Sequence, residues 1–369
     1  MYIPLYIWMR CAMVVAKHPG LAEILKEKIR GGEYERSLPG INVLARQYGV
    51  NNRTMIKVVK TLEGDGFVRR VPSKGTLITR LRRQRIHILG VVLGTDDIGP
   101  TAPVHAALVK GISLASRAAG ESFIIGAPHH HDAEAELGST KGLVEGRGVD
   151  GIIIWPAEKP HTESSSIDYL RTNKIPFVVV PETDLTKHAD CHTVSNSDSK
   201  GAKKVVEHLI SQGFSRIAFM SDSPEGESIF VEHRRAQCRQ VMQSHHLALH
   251  EIVIPNLYRN PQERIAADTL AAVRQCDAVF CCTDAIAVKL MSECLRRGIR
   301  VPGDLAVAGY DNSLLAEALD LTSVEQHFEK IGEKAVKLLL EEIDGGCGTP
   351  RHLNVCSELV TRGSTKSKT

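Results

Sequence analysis

Residues 86–94 read IHILGVVLG, a nearly continuous apolar run. A run without polar alternation is typical of a β-strand that is buried on both faces of a parallel sheet. A helical stretch follows at VHAALVKGISLASRAAG (104–120), and a second apolar run follows at SFIIGA (122–127). Because strand and helix alternate at this spacing, the sequence predicts βαβ units and an α/β fold.

The same alternation continues toward the C-terminus in two series. Further strands are predicted at DGIIIW (150–155), PFVVV (176–180), RIAFM (216–220), EIVIP (251–255), AVFCC (278–282) and LAVAGY (305–310). Two consecutive series predict two doubly wound lobes of parallel sheet. Ligands of such folds bind at the carboxyl ends of the strands. We therefore expect residues 86–369 to hold a ligand in the cleft between two lobes.

Basic residues are concentrated before this domain. Residues 17–85 contain 16 Lys and Arg against 6 Asp and Glu, whereas residues 86–369 contain 29 against 37. The net charges are therefore +10 and −8 in a chain whose total is +3. This asymmetry is typical of a small nucleic-acid-binding module that is joined to another domain, although a solvated basic face explains the charge equally well.

The basic segment also has the pattern of a winged helix-turn-helix. Helical spacing of apolar residues predicts three helices, at GLAEILKEKIRGG (20–32), INVLARQYGV (41–50) and NNRTMIKVVKTLEGDGF (51–67). The third helix carries Arg53, Lys57 and Lys60 on a face separate from its apolar face. Two short β-rich runs then flank PSKG (72–75) and predict a hairpin, which is the wing.

The stretch from Leu38 to Ile78 resembles the winged-helix domain of GntR-type bacterial regulators. The matching residues are Leu38-Pro39, Leu44-Ala45, Tyr48-Gly49-Val50, Thr54, Leu62, Gly66 and Lys74-Gly75-Thr76. The chain departs from the family at Gly40-Ile41-Asn42, where Ser-Glu-Arg is usual. It departs again at Asn52 and Ile56, where arginines that commonly contact DNA are usual. The resemblance implies binding of double-stranded operator DNA, with contacts from Asn52, Arg53, Thr54, Lys57, Arg70, Lys74 and Gly75.

The two departures each have two interpretations. Asn52 either reads an adenine edge or caps the third helix, and Ile56 either meets a thymine methyl group or packs into the core. The cations Arg53, Lys57 and Lys74 suit phosphates, which position the module without reading sequence. Residues 81–85 are a basic linker that either follows DNA phosphates or is a solvated tether.

Residues 86–369 resemble the effector domain of LacI-type regulators, which is built like periplasmic sugar-binding proteins. The matches include Val149-Asp150-Gly151, Arg216-Ile217-Ala218, Thr283-Asp284, Gly309-Tyr310-Asp311 and residues 358–364. A GntR-type head on a LacI-type body occurs in arabinose-responsive repressors. The resemblance implies a cytoplasmic, homodimeric repressor that a sugar or sugar-like effector releases from its operator. The alternative is a solute-binding protein, for sugars, without a regulatory DNA role.

The resemblance to LacI-type regulators also implies polar effector contacts at Arg235, Asp284 and Asp311. Arginine offers a planar set of donors, and carboxylates accept from sugar hydroxyls. Aromatic side chains near strand ends can stack on a sugar ring, and the candidates are His105, Trp155 and Phe230. Each residue also has a structural interpretation: a surface ion pair for Arg235, a helix cap for Asp284, a turn for Asp311, and core packing for the aromatic residues.

Catalytic, cofactor and metal motifs are not found in the sequence. It contains no nucleophile elbow, P-loop or HExxH motif, so we expect neither an enzyme nor a cofactor. Nine cysteines without a C-x-x-C pair favour free thiols in a reducing compartment. Three consecutive histidines, His129, His130 and His131, are more typical of a solvated loop than of a metal site. We interpret residues 1–16 as an N-terminal extension. Their pattern favours neither a signal peptide nor a membrane span.

The predicted architecture is therefore α/β. It comprises an N-terminal extension (1–16), a winged helix-turn-helix (17–80), a basic linker (81–85) and a two-lobe, periplasmic-binding-protein-like domain of doubly wound parallel sheets (86–369).

Overall fold

The computed structural model of the protein describes most of the chain. The described residues are 18–30, 33–34, 37–71, 75–78, 85–94, 103–128, 132–156, 164–181, 188–196, 198–222, 224, 228–255, 257, 264–345 and 349–366. They fall into two compact units, divided between Arg85 and Ile86. The predictions for residues 1–16, Lys74, the linker residues 81–84 and the histidines 129–131 lie outside the described residues.

The described part of the first unit has three helices followed by a β-hairpin. In chain order these are α1 (His18–Arg30), α2 (Ile41–Gln47), α3 (Asn52–Gly64), β1 (Val68–Val71) and β2 (Gly75–Ile78). The two strands are antiparallel, with Val71 opposite Gly75. Apolar side chains of all three helices bury one another, among them Leu25, Leu44 and Leu62. Helices and hairpin in this order form a winged helix-turn-helix.

The second unit contains nine further helices and twelve further strands among the described residues. The helices are α4 (Pro103–Ala118), α5 (Ala133–Lys141), α6 (Ser165–Thr172), α7 (Asp198–Ser211), α8 (Ile229–Ser244), α9 (Ala267–Val273), α10 (Asp284–Arg296), α11 (Leu314–Ala318) and α12 (Phe328–Ile343). The strands are β3 (Ile88–Val92), β4 (Ser122–Gly126), β5 (Gly151–Ile154), β6 (Phe177–Val179), β7 (His192–Asn196), β8 (Ile217–Ser221), β9 (His250–Val253), β10 (Ala278–Cys281), β11 (Ala306–Ala308), β12 (Ser323–Glu325), β13 (His352–Val355) and β14 (Glu358–Val360). A π-helical segment, Gly142–Arg147, extends α5, and a 3-10 turn, Gly363–Thr365, follows β14.

Two parallel sheets define two lobes of this unit. The first lobe has six strands in the order β13-β7-β6-β5-β3-β4, and the second has four in the order β11-β10-β8-β9. Every strand pair in both sheets is parallel. The α/β fold with doubly wound parallel sheets, expected from the apolar runs, is therefore confirmed.

The chain passes between the lobes at three places. It leaves the first lobe between β7 and α7, returns between β12 and α12, and leaves again between β13 and β14. The short strands β12 and β14 pair antiparallel, with Val324 opposite Leu359. These crossovers place the carboxyl ends of both sheets beside the interlobe cleft.

Helices α4 and α12 of the first lobe approach closely at two glycines. A Cβ on Gly111 would lie 2.0 Å from the carbonyl oxygen of Glu329, and one on Gly332 would lie 2.4 Å from that of Leu108. Only glycine permits backbones to meet at this distance. The contact holds the returning helix α12, and therefore the second crossover, against the first lobe.

Each lobe has its own apolar core. Phe219 and Phe280 pack edge to face at 5.5 Å in the second lobe, while Leu89, Ile112 and Leu339 lie in the core of the first. Among the described residues, no helix is both long enough and apolar enough to cross a membrane.

Candidate functional site

Four rings lie together where the lobes meet. Trp155 follows β5 directly and stacks on His105 of α4 at a centroid distance of 4.1 Å and on Phe328 of α12 at 5.4 Å. Phe230 of α8, from the second lobe, meets the same indole edge to face at 6.0 Å. The structure thus brings together His105, Trp155 and Phe230, which were separate candidates in the sequence. It adds Phe328, which sequence reasoning missed.

Arg234 lies one helical turn after Phe230, on the same face of α8. Its Nε and Nη2 donate to Asp198 Oδ1 at 2.9 and 2.7 Å, and its Nη1 donates to the carbonyl oxygen of Cys282 at 2.6 Å. The guanidinium also lies 3.7 Å from the centroid of the Tyr310 ring. This buried arginine therefore belongs to the same side of the second lobe as the aromatic group.

Gln326 connects this cluster to the first lobe. It lies on the second crossover, and its Nε2 donates to Asp311 Oδ1 at 2.6 Å. Its Oε1 accepts a hydrogen bond from Asn196 Nδ2, at the end of β7, and lies 3.5 Å from Arg234 Nη2. A polar network consequently joins the carboxyl ends of β7 and β11 through a residue of the crossover.

Carboxylates outnumber guanidinium groups in this network. Burial raises the pKa of Asp311 well above its usual range; Arg234 opposes this rise, whereas Asp284 and Asp198 add to it. Burial lowers the pKa of Arg234, but Asp198, Tyr310 and Asp311 outweigh burial, so the net pKa is raised. A desolvated cluster with more acceptors than cations suits a ligand that donates hydrogen bonds, such as a polyhydroxyl compound, better than an anion.

Asp284 is hydrogen-bonded within the second lobe. Its Oδ2 accepts from the backbone N–H of Ser313 at 2.7 Å, and its Oδ1 accepts from the Ser323 hydroxyl at 2.5 Å. Both oxygens are thus used within the second lobe, and the side chain is buried. The interpretation of Asp284 as the helix cap is wrong, since Thr283 Oγ1 accepts from Ile286 N at the start of α10. Asp284 ties α10 to the segments on either side of α11.

Arg235 points into the second lobe, away from the aromatic group. Its side chain is only 1% exposed and binds Glu232 at 2.5 Å, Ser221 at 3.1 Å and Glu251 at 3.5 Å. Consecutive helical residues are turned by about 100°, so only one of two adjacent arginines can share the face of Phe230. The sequence analysis missed Arg234, although its i, i+4 spacing from the candidate Phe230 was a signal that could have identified it.

In the first unit, α3 presents a polar and cationic surface. Asn52, Arg53, Ile56, Lys57 and Lys60 are all exposed along it. Asn51 caps the helix, because its Oδ1 accepts from the backbone N–H of Thr54 at 2.8 Å. The interpretations of Asn52 as the cap and of Ile56 as a core residue are therefore wrong.

The wing is attached to the C-terminal half of α3. Glu63 Oε1 accepts from the backbone N–H of Arg70 at 2.9 Å, while the Arg70 side chain is exposed on β1. Gly75 begins β2 with φ of +84°, a left-handed conformation that favours glycine. These contacts set the hairpin beside the exposed surface of α3.

The described residues show no metal-binding group, and most of their thiols are buried. No cluster of three or more His, Cys, Asp or Glu among them is arranged to hold a metal ion. Six of the seven described cysteines are buried and free. Burial raises the pKa of Cys282 to about 12, so this thiol stays protonated and inert near neutral pH.

Comparisons with known proteins agree with this architecture. Residues 206–365 match the family described as periplasmic binding protein-like domain. The HTH-type transcriptional regulator MalR of Streptomyces coelicolor is 28% identical over 364 residues, which cover 96% of each chain. The HTH-type transcriptional repressor PurR of Vibrio campbellii is 31% identical over 222 residues, which cover 59% of this chain and 65% of that protein.

A similar solved structure is that of a LacI family transcriptional regulator from Enterococcus faecium with bound ribose. It has a TM-score of 0.60 and 22% identity, and the match covers 76% of this chain and 100% of that one. None of these matches marks the first unit as GntR-type. Residues 86–369 have the periplasmic-binding-protein-like fold that is found in LacI-type regulators.

Proposed function

We propose that the protein is a ligand-responsive transcription repressor. Residues 17–80 bind operator DNA, and residues 86–369 hold a small effector whose binding releases the DNA. Residues 81–85 connect these two domains. The observation that carries the proposal is the interlobe site, where Phe230 and Arg234 on one face of α8 meet Trp155 and Gln326. The named function of the relatives from Streptomyces and Vibrio supports the regulatory role.

The chemistry of the site favours a sugar or a sugar-like molecule. A sugar ring has an apolar face, which the indole of Trp155 and the ring of Phe230 can cover, and an edge of hydroxyl groups. Arg234 would donate to ring or hydroxyl oxygens, and Asp311 and Asp198 would accept from hydroxyls. The ribose in the related Enterococcus structure supports this class of ligand.

We assign the effector contacts to Arg234, Asp311, His105, Trp155 and Phe230. In this assignment Arg234 replaces Arg235, whose guanidinium is bound inside the second lobe. Asp284 acts indirectly, by holding Ser313 and Ser323 in place beside Asp311.

Lobe closure supplies the link to DNA binding. The ligand bridges side chains of both lobes, so it binds a closed arrangement more tightly than an open one. It changes operator affinity only by the ratio of its affinities for the two states. The crossover residue Gln326, bound to Asn196 on one side and Asp311 on the other, is placed to respond to this closure.

The regulator is proposed to act as a homodimer. Leu314 of α11 is 85% exposed and Leu315 is 54% exposed, and Leu319, which follows α11, and Leu295 of α10 are exposed as well. Exposed apolar clusters of this kind mark protein interfaces. A second copy covering the cluster would pair two DNA-binding heads, as a two-fold symmetric operator requires.

The first unit is proposed to be a GntR-type winged helix that acts on cytoplasmic DNA. Its contacts are assigned to Asn52, Arg53, Thr54, Lys57, Arg70, Lys74 and Gly75. The exposed cations along α3 support the assignment, since phosphate neutralisation dominates the affinity of most DNA-binding proteins.

A ligand screen followed by a DNA-release assay tests the proposal. Purified full-length protein is heated with pentoses, hexoses, polyols, sugar phosphates or nucleosides. A ligand at a hundredfold excess over its Kd should stabilise the protein by about 2.7 kcal/mol. The same ligand should then release the protein from its selected duplex DNA. Stabilisation without any DNA binding at low salt would instead indicate a solute-binding protein.

A further inference from the structure

We propose that Asn52 and Ile56 together read operator sequence, with Asn52 on an adenine edge and Ile56 on a thymine methyl group. The inference rests on the proposed DNA-binding function and deepens it by naming the bases that α3 selects. It concerns two of the positions at which the chain departs from the GntR pattern.

The first step is the cap of α3. Two asparagines stand at its start, and only one can accept the N–H of Thr54. Asn51 does so at 2.8 Å from extended backbone, with φ of −77° and ψ of 160°. Asn52 is therefore the first helical residue, exposed, and among the described residues none is hydrogen-bonded to its amide. A primary amide in this state has a free donor and a free acceptor, the pair that matches adenine N7 and N6.

The second step is the exposure of Ile56. Its side chain is 42% exposed, whereas Met55, Val58 and Val59 around it are fully buried. A single exposed isoleucine is ordinary on a protein surface. Here, however, it lies one turn from Asn52 and among cations, on the helix that a helix-turn-helix places in the major groove. The apolar group displayed in that groove is the C5 methyl of thymine.

The third step is the distribution of charge around these two residues. Going around α3, Asn52 and Ile56 form one row, and Lys60, Arg53 and Lys57 follow on its outer side. A row of neutral side chains with cations along one side fits a groove floor with a phosphate backbone along its edge. The cations position the helix, and the neutral row is left to distinguish bases.

The spacing of the row sets the spacing of the bases. Residues i and i+4 are about 6 Å apart along a helix, and base pairs are stacked about 3.4 Å apart. The adenine and the thymine methyl should therefore lie within about two base pairs of each other. Each operator half-site is predicted to contain such an A·T-rich step.

The test begins with the full-length protein and a pool of random-sequence duplexes. Enriched duplexes are then remade with 7-deazaadenine, which lacks N7, or with uracil, which lacks the thymine methyl. For the wild type, 7-deazaadenine at the read position should weaken binding about tenfold, the factor for one good base contact. Uracil should weaken binding about fourfold, the factor for one methyl-sized group.

The variants assign each effect to one side chain. Asn52→Ala should bind adenine and 7-deazaadenine duplexes equally, and Ile56→Ala should bind thymine and uracil duplexes equally. Asn52→Asp, of the same shape, should also lose the preference because its carboxylate cannot donate to N7. Asn51→Ala, which removes only the cap, and Ile24→Ala, which changes an equally exposed residue of α1 (41%), should keep both preferences.

The outcomes separate the base reading from the DNA-binding function. If duplexes are enriched and bound but Asn52→Ala retains the 7-deazaadenine effect and Ile56→Ala retains the uracil effect, the base reading is overturned while the function stands. If the wild type binds no duplex even at low salt, the proposed function itself fails, and the base reading with it.

Discussion

Arg234 and Asp198 form a buried ion pair with two hydrogen bonds, from Nε and Nη2 to one carboxylate oxygen at 2.9 and 2.7 Å. The pair joins α8 to the first turn of α7, directly after the first crossover. Arg234 Nη2 also lies 3.5 Å from Gln326 Oε1, and the charge of Asp311 raises the pKa of Arg234. A polar ligand in the cleft must therefore compete for these hydrogen bonds or add to them. Charges desolvated in this way have large effects when one partner is removed.

Substitution of the two adjacent arginines should separate binding from stability. Arg234→Lys should retain the fold but weaken effector binding about tenfold or more, because an ammonium cannot reproduce the planar set of donors. Arg235→Lys should leave effector affinity unchanged and only lower stability, since Arg235 binds Glu232 and Ser221 inside the lobe. Calorimetric titration with the effector and urea unfolding measure both quantities. Equal losses of affinity in the two variants would contradict the assignment.

Asp311 should make the ligand-free protein less stable as the pH rises. Its pKa in the folded state lies well above the ordinary 3.8, chiefly because of burial. The folded state therefore holds a proton that the unfolded state has released, and stability falls with rising pH through the raised pKa. Asp311→Asn retains the acceptor for Gln326 and removes this penalty. It should be more stable than the wild type at neutral pH, with the difference shrinking toward pH 4, and should lose effector affinity.

Urea unfolding of both proteins between pH 4 and 8 measures the difference in the free energy of unfolding. Asp284 contributes in the same direction, because burial also raises its pKa. Part of the pH dependence should therefore persist in the variant. A stability difference that does not vary with pH would contradict the role of Asp311.

Helix α12 should not tolerate a methyl group at Gly332. The added Cβ would lie 2.4 Å from the Leu108 carbonyl oxygen, which is backbone and unable to move aside, so Gly332→Ala should cost at least about 2 kcal/mol. Gly138→Ala in α5 is the control, since its Cβ would meet nothing within 4 Å. That substitution should be neutral or stabilise by about 0.5–1 kcal/mol. Thermal unfolding of both variants is the measurement.

Tryptophan fluorescence should report on the cleft. The chain has two tryptophans, Trp8 and Trp155. A ligand that enters beside Trp155 changes the polarity around its indole, so the effector should shift or quench the emission. Trp155→Phe should abolish the response and retain part of the affinity, because a smaller ring still covers the sugar face. An unchanged response in Trp155→Phe would place the ligand elsewhere.

The exposed leucines of α11 should control the oligomeric state. Leu315→Asp introduces a charge into the proposed interface and should convert a dimer into a monomer. Leu114→Asp, at an exposed position of α4 in the first lobe, is the matched control and should leave the mass unchanged. Light scattering over a range of concentrations measures the mass. A wild type that is monomeric at all concentrations would rule out the proposed homodimer.

Several elements were predictable because they depend on local pattern. The apolar runs at 88–92 and 151–154 became central parallel strands, since only a strand covered on both faces lacks polar alternation. Trp155 could be placed near the cleft from its position at a strand end. The pairing of Asp284 with Ser313 and Ser323 was not predictable, because it joins segments 29 and 39 residues apart.

The sequence by itself determined the βαβ alternation, the basic winged-helix head and the type of chemistry at the ends of the strands, because periodicity and composition are properties of neighbouring residues. Tertiary structure alone decided which of Arg234 and Arg235 faces the cleft, and that His105, Trp155, Phe230 and Phe328 form one group. It also decided that Asn51 caps α3 and that Asn52 stays exposed. Those outcomes depend on helix rotation and on contacts between segments that are distant in the sequence. They are therefore decided by the packing inside each unit.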